Sequence, residues 1–275
     1  MRQLAIPITL LALAAAAAAP AQQAPAPEPA SPITDRFALR ASVFSGTVKT
    51  NGRVDDPTVT AGGTPFSLEH DFGLSPHARQ LRAEFMFRLA ERGRLRVDVW
   101  DLTRTGVASP TTTIVYGGHT FKPTDTVHSE FDWRQIDLTW TYSFLRRSRF
   151  ELGAGLGLHL LEAEADANAT LATGPVAEKF TGAGPFITPA LDGTWRISRR
   201  FAFTARGQYL KLTLSSISGS LADYHADVQF RWRPNLAFGA GFESTKTRLE
   251  VSDHNPNGFM SLGTRGPELF VRASF

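Results

Sequence analysis

The sequence ends with RGPELFVRASF, residues 265–275, in which side chains of different character alternate one by one. One face of an extended chain would carry apolar residues: Leu269, Val271, Ala273 and Phe275. The other face would carry mostly polar ones: Glu268, Phe270, Arg272 and Ser274. Because successive side chains of a strand point to opposite faces, one face contacts lipid and the other a polar interior. The ending therefore predicts a membrane-embedded β-strand.

The same two-residue alternation recurs along the chain. It predicts strands at about 36–49, 80–89, 95–100, a fourth that ends with 136–144, and then 150–158, 186–197, 201–212, 223–232, 236–245 and 265–275. After residue 19, no segment reaches the roughly 20 apolar residues that a membrane helix needs. The sequence thus predicts an all-β fold, a closed antiparallel transmembrane β-barrel of ten strands.

Eight or twelve strands remain open alternatives. Pro185 and Pro189 lie within the sixth segment, and proline suits a strand start or a sheet edge better than a ladder interior. Residues 64–74 have room for an additional short strand.

The N-terminal region has a different composition from the rest of the chain. Arg2 precedes an apolar, alanine-rich stretch, which is typical of a secretory signal peptide, predicted here as residues 1–21. Residues 22–35 are rich in proline and alanine and have too few large apolar groups to form a core, so they predict a periplasmic leader. The barrel is then expected to occupy residues 36–275.

In these features the chain resembles the small outer-membrane β-barrel proteins of Gram-negative bacteria, whose barrels are OmpA-like or of omptin size. The resemblance implies localisation in the outer membrane and contact with its lipids and lipopolysaccharide. It also implies that the barrel-assembly machinery recognises the last strand, through Leu269, Val271, Ala273 and the terminal Phe275. We expect no peptidoglycan-binding module of the OmpA type.

The lengths of the links between strands agree with this resemblance. Short links occur near 91–94, 145–149, 198–200 and 233–235, and longer polar segments occupy about 50–78, 103–128, 163–184, 213–220 and 247–264. Barrels of this class have short periplasmic turns and long external loops. Arginines cluster at the short links, Arg92 and Arg94 among them, and are interpreted as turn residues. Either they contact anionic phospholipid headgroups, or they supply the solvated charge that turns need.

Composition excludes several kinds of function. The net charge of +3 comes without a basic stripe, so nucleic acid is not an expected partner. The chain has no cysteine, which excludes thiol catalysis and thiolate metal sites. Its seven histidines have no paired spacing, so neither a metal nor another cofactor is expected. Loop acids such as Glu69 and Asp71 are interpreted as solvated charge rather than a calcium site.

Charged residues of both signs fall on the inward face of the predicted strands. We expect them to fill the narrow interior as a charge network: Arg82, Glu84, Arg88, Arg96, Asp98, Asp137, Glu151, Asp192, Arg196, Arg206, Asp223, Asp227, Arg231, Glu243, Glu268 and Arg272. The leading functional hypothesis is therefore a structural or surface-interaction barrel with at most a narrow pore.

Two other classes of function stay open. Omptin proteases use acidic residues and a histidine at the external rim, and Asp98 with Asp101, or Asp223 with His225 and Asp227, could supply such a set. A lipid hydrolase would pair a histidine with a serine, but the adjacent His128 and Ser129 would point to opposite faces of a strand. A selective small-solute channel lined by the charge network is the third class.

Overall fold

A computed structural model describes residues 30–54, 63–116, 119–171, 174–214, 217–251 and 258–275. The predicted signal peptide and residues 22–29 of the leader lie outside these ranges. The strands are, in chain order, β1 Phe37–Val54, β2 Phe66–Ser67, β3 His77–Leu89, β4 Gly93–Ala108, β5 Ile114–Tyr116, β6 His119–Phe121, β7 Val127–Arg146, β8 Phe150–Leu171, β9 Gly174–Arg196, β10 Phe201–Leu214, β11 Ile217–Arg233, β12 Leu236–Val251 and β13 Gly258–Ser274.

Ten of these strands form a closed antiparallel barrel, which confirms the predicted fold class and strand number. The order around the barrel is β1, β3, β4, β7, β8, β9, β10, β11, β12 and β13, and β13 pairs back with β1. That closing register runs from Ala38 opposite Ser274 to Val54 opposite Gly258. Short β2 lies in the segment where an extra strand was considered, but it pairs only with β1 and is not part of the wall.

Side chains alternate between the two faces of the wall, as the sequence pattern predicts. On β7 every second residue from Ile136 to Phe144 is apolar and at least 40% exposed, whereas the residues between them are buried. Outward side chains of this kind form an apolar band around the barrel, which is the surface that a bilayer requires.

The two ends of the barrel differ. Both described chain ends and the short turns 90–92, 147–149, 197–200 and 234–235 lie at one end, here called the turn end. The opposite end is called the loop end. Some of the long loops predicted at this end are wrong. Strand β8 continues to Leu171 and β9 begins at Gly174, so only two residues separate them, and two residues likewise separate β10 from β11.

The reversed polarity of the strand extensions explains this error. On β8, Leu160 is the last outward apolar residue, and Glu162 then points outward while Leu161 and Ala163 are buried inside. The strand therefore continues beyond the apolar band with a polar outer face and an apolar inner face. A polar segment between two membrane strands was interpreted as a loop although it is a solvated continuation of the wall.

The inside of the loop end contains an apolar core, here called the apolar plug. Strand residues that contribute to it are Val48, Trp100, Leu102, Val127, Phe131, Trp133, Leu161, Ala163, Ala165, Ala167, Ala169 and Leu262, and link residues are Phe66, Leu68, Phe72, Leu74, Ile114 and Phe121. The segment from β2 to Leu74 thus folds into the barrel instead of extending into solvent.

Specific contacts fix this inserted segment. Arg104 donates to Glu69 at 2.6 Å, and the Asp71 carboxylate accepts from the Thr111 hydroxyl at 2.8 Å, so these two acids bond within the protein. The backbone at Gly73, with φ of 70°, passes so close to β4 that a Cβ on Gly106 would lie 2.6 Å from the Gly73 carbonyl carbon. A side chain at Gly106 would therefore displace the plug.

Residues 31–35, which the sequence assigned to the leader, close the turn end and are here called the cap. Ser31, Ile33 and Asp35 are at most 5% exposed. The Ile33 carbonyl accepts from Arg146 at 3.3 Å, and the Asp35 carboxylate accepts from Arg231 at 2.6 Å. These residues are part of the barrel, and β1 begins directly after them at Phe37.

The last residue closes the barrel through its main chain. Arg36 and Phe37 donate to the Phe275 carbonyl at 2.9 Å each, and Phe275 donates to the Phe37 carbonyl at 2.9 Å. We expect deletion of Phe275 to lower the free energy of unfolding by up to about 3 kcal/mol, because each buried hydrogen bond contributes about 1 kcal/mol. Urea unfolding of the refolded barrel in detergent measures this loss.

Phe275→Ala is the matched control, since its main-chain bonds remain and its side chain is 75% exposed. Equal losses for the deletion and for Phe275→Ala would show that the side chain, and not the main chain, stabilises the closure.

Candidate functional site: the lumen network

The middle of the barrel interior is filled with charged and polar side chains, here called the lumen network. They come from inward positions of the wall strands, where charge is kept away from lipid. Buried ions are tolerated when each has a partner of opposite charge and further hydrogen bonds, so the pairing of these groups decides whether the lumen is stable and whether it is open.

One group centres on Glu84 of β3. Arg206 of β10 lies 2.8 Å from one carboxylate oxygen of Glu84, and Arg96 of β4 lies 3.6 Å from the other. Arg206 also approaches Asp98 at 3.7 Å, and Arg96 approaches Asp192 at 3.7 Å. These contacts cross the lumen from β3 and β4 to β9 and β10, so side chains of opposite walls meet in the middle.

A second group centres on Arg40 of β1. It pairs with Asp227 at 2.8 Å and with Glu268, and its guanidinium carbon lies 3.6 Å from the centre of the Phe270 ring. His225 also contacts Glu268, and its Nδ1 accepts from Arg206 at 3.1 Å. This histidine joins the first group to the second.

A third group lies nearer the turn end, around Glu151 of β8. Arg88 donates to both carboxylate oxygens of Glu151, at 2.7 and 3.0 Å, and the Ser143 hydroxyl donates at 2.6 Å. Arg94 lies 3.5 Å from Glu151 and 2.6 Å from Asp192. Below it, Arg231 and Arg272 contact Asp35 of the cap at 2.6 and 3.4 Å.

The remaining predicted network residues have other partners. Arg82 pairs with Glu243 and lies over the rings of Phe44 and Trp100, at 4.6 and 4.7 Å. Asp223 accepts from the Thr245 hydroxyl at 3.1 Å.

A histidine of β8 links three strands by hydrogen bonds. The Asp137 carboxylate lies 2.6 Å from Nδ1 of His159, and Nε2 of that ring lies 3.0 Å from both the Thr188 hydroxyl and the Gln208 amide oxygen. His159 and Thr188 are fully buried. These four side chains therefore hydrogen-bond to one another, which is the arrangement of a structural network.

Three partners in these groups were absent from the predicted network. Arg94 was interpreted as a turn residue, but β4 begins at Gly93 and Arg94 is 5% exposed inside the lumen. Arg94 lies two residues before Arg96 and four before Asp98, so the alternation of the strand places all three on the same inward face. Arg40 has the same parity as its buried neighbours Ala38 and Ser42. No pattern in the sequence marks Asp35, since only the folding of the cap brings it to Arg231.

The candidate catalytic residues do not gather at the loop-end rim. Asp101 points outward and Asp98 inward, because they are three residues apart on β4. His225 and Asp227 are buried in the middle of the wall within the contacts described above. His128 is exposed and Ser129 is buried, so they face opposite sides of β7.

Little free space remains among these side chains. The cavity between Arg40, Glu84, Arg206, Gln208 and Glu268 measures about 50 Å³. The network thus obstructs the lumen at mid-height.

Over the described ranges of the chain, no group of three or more His, Asp or Glu side chains is arranged to hold a metal ion. No described helix is long and apolar enough to cross a membrane.

Comparison with known proteins finds similarity in structure and not in sequence. No family model matches the chain, and no curated protein matches it in sequence. The crystal structure of the outer membrane protease OmpT from Escherichia coli is similar, with a TM-score of 0.54 and 11% identity, covering 86% of this chain and 97% of that chain.

Two further solved structures are outer-membrane proteins with lower scores. The protein OprG from Pseudomonas aeruginosa has a TM-score of 0.37 and 10% identity, covering 87% of this chain and 95% of that chain. Ail, the attachment invasion locus protein of Yersinia pestis, has a TM-score of 0.33 and 9% identity, covering 84% of this chain and 98% of that chain. The similarity to OmpT shows that the chain has the fold of a small outer-membrane β-barrel, as the sequence resemblance implied.

Removing a buried carboxylate should destabilise the barrel far more than removing an exposed one. We expect Glu151→Ala to lower the free energy of unfolding by about 3–5 kcal/mol, because Arg88 and Arg94 would be left buried without their partner. Glu250→Ala is the matched control, since its pair with Arg248 is 37–40% exposed and should contribute less than about 1 kcal/mol. Urea unfolding in detergent compares the two, and similar losses would contradict the structural importance of the network.

Proposed function

We propose that this protein is an integral outer-membrane barrel with a structural or surface-interaction role, and that its lumen does not conduct. The observation that supports this proposal is the succession of three obstructions along the barrel axis. The cap, residues 31–35, closes the turn end, the lumen network occupies the middle, and the apolar plug occupies part of the loop end. Beside the plug, a cavity of about 550 Å³ remains, lined by residues that include Phe66, Asp71 and Arg248.

The proposed orientation places the turn end in the periplasm and the loop end outside the cell. An even number of strands puts both chain ends on the same side, and short turns are typical of the periplasmic side in this class of barrel. Export by the predicted signal peptide, residues 1–21, would deliver the chain to that side.

The partners follow from this placement. Lipids and lipopolysaccharide would contact the apolar band, and the barrel-assembly machinery would recognise the last strand through Leu269, Val271, Ala273 and Phe275. All four point outward or end the strand, and Leu269 and Phe275 are 67% and 75% exposed. They are therefore accessible to another protein before the barrel inserts.

The rim-active enzyme has less support. An enzyme of this kind needs its acid and base at a surface that substrate can reach, whereas His225 and Asp227 are at most 6% exposed and are bonded to arginines. The selective channel has less support because the cavity within the lumen network, at mid-height, measures only about 50 Å³. The conductance experiment below tests the channel alternative.

Conductance in a planar bilayer tests the proposal directly. We expect the refolded barrel from residue 22 onwards to give no discrete current steps. A variant that begins at Arg36 and has residues 63–76 replaced by a Gly-Ser linker should also be silent, because the lumen network still obstructs the middle. Adding Arg82→Ala, Glu84→Ala, Arg206→Ala and Glu243→Ala, which removes two charges of each sign, should produce steps.

The control is the quadruple variant with the cap and the plug intact, which should remain silent. Folding of each variant is verified by heat-modifiable migration in gels. Reproducible current steps from the unmodified barrel would contradict the proposal and favour the selective channel.

A further inference from the structure

One seam of the barrel wall is incompletely paired. Strands β9 and β10 pair only from Ala190 opposite Gln208 to Arg196 opposite Ala202. Each strand nevertheless continues along its other neighbour, since β9 pairs with β8 as far as Gly174 and β10 pairs with β11 as far as Leu214. Between the described residues 185–189 and 209–213, no pairing joins β9 to β10, and these residues are here called the open seam.

The prolines of β9 explain why pairing stops there. Pro189 directly follows the last paired position in the direction of the loop end, and Pro185 lies four residues farther. Their nitrogens point to the same side of the strand, because backbone groups alternate with a period of two, and neither nitrogen carries a hydrogen. The β9 edge therefore presents few donors to β10 at this height.

The open seam begins within the apolar band. Ile187 on β9 and Tyr209 on β10 point outward and are 61% and 53% exposed, and Leu191 below them is 63% exposed. Because both sides of the seam carry outward apolar groups, lipid reaches its lower part. It lies in the half of the band nearer the loop end, which is the outer leaflet in the proposed orientation.

Apolar side chains line the seam from the inside. Phe186 faces inward, packs against the apolar plug, and reaches past β10 to β11, where a Cβ on Gly219 would lie 2.7 Å from its ring. Leu212 has the inward parity of Ala202, which is buried, yet it is 46% exposed. Toward the turn end the inner side of the seam is polar, because the buried Thr188 donates to Gln208 of β10 at 2.7 Å. Toward the loop end the gap connects the lipid-facing surface to the apolar interior around Phe186 and Leu212.

The two edges of the seam also differ in charge and hydrogen bonding. The β10 edge has no proline between 209 and 213, so it retains main-chain donors that β9 does not satisfy. Lys211 is exposed on the outward face beside Tyr209. A polar or anionic headgroup could accept hydrogen bonds from the main-chain N–H groups of this edge and from Lys211. Hydrocarbon has no acceptor for these donors.

We propose that the open seam is a lateral binding site for an anionic outer-leaflet lipid. One acyl chain enters between β9 and β10 and lies against Phe186 and Leu212, while the headgroup stays at the membrane surface and contacts Lys211 and the β10 edge. A strand of a second copy fits less well, because the prolines of β9 leave one edge without donors. The site is independent of conductance, since the lipid approaches from the side of the barrel.

Photo-crosslinking in vesicles tests this site. The barrel is refolded into phosphatidylcholine vesicles that contain a photoreactive phosphatidylglycerol with a diazirine near the end of one acyl chain, and labelled residues are identified by mass spectrometry. We expect label on the inward residues Phe186 and Leu212 as well as on outward Ile187. Inward Leu102 and Trp133 lie on the fully paired β4 and β7 and are the internal control, which should carry no label.

A disulfide across the seam provides the matched variant. Pro185→Cys with Thr213→Cys places two cysteines at opposite positions if the register of β9 and β10 is extended, and the chain has no other cysteine. Oxidation should abolish the label on Phe186 and Leu212 and leave that on Ile187, and reduction should restore it.

Specific outcomes would overturn the proposal. Label confined to outward residues of the unmodified barrel would show that no chain enters, and inner label that survives oxidation of the disulfide would show entry by another path. Lys211→Gln should reduce labelling by the phosphatidylglycerol probe but not by a phosphatidylcholine probe of the same chain, and an equal effect on both would refute the headgroup contact.

Discussion

The peptide backbone has no hydrogen-bond partner in hydrocarbon, and the rest of this structure depends on that constraint. Every strand in the bilayer must therefore be paired on both edges, which only a closed barrel achieves. Here the closure joins β1 to β13, and the main chain of Phe275 completes it. In the part of the chain that the structure describes, the seam between β9 and β10 departs from this rule, and it does so where prolines have removed donors from one edge.

Closure with ten strands leaves a narrow interior, and the inward positions determine what fills it. At mid-height these positions are arginines and carboxylates, whose side chains meet across the lumen, as Arg206 and Glu84 do. Farther toward the loop end they are apolar, and the segment after β2 folds inward to complete a core. The charged layer and the apolar layer each narrow the interior by a different means, and the cap closes the turn end.

Polarity reverses where the wall leaves the apolar band. Within the band, apolar side chains point outward and polar ones inward, whereas from Glu162 onward on β8 the outward side chains are polar and the inward ones apolar. The barrel thus behaves as a membrane protein over one part of its length and as a soluble β-structure over the next. This extension of the wall places the loop end beyond the apolar band.

The sequence by itself determined the fold class, the strand number and the face on which most side chains lie, because a strand's period of two is a local property that lipid imposes directly. The alternation of the strands alone predicted sixteen inward charged residues, Glu84 and Arg206 among them. Only the tertiary structure decided which charges meet, that Asp35 turns back to Arg231, and that the link after β2 enters the barrel. Those contacts join residues far apart in the chain, and their geometry depends on the closure and register of the whole wall, which no local pattern encodes.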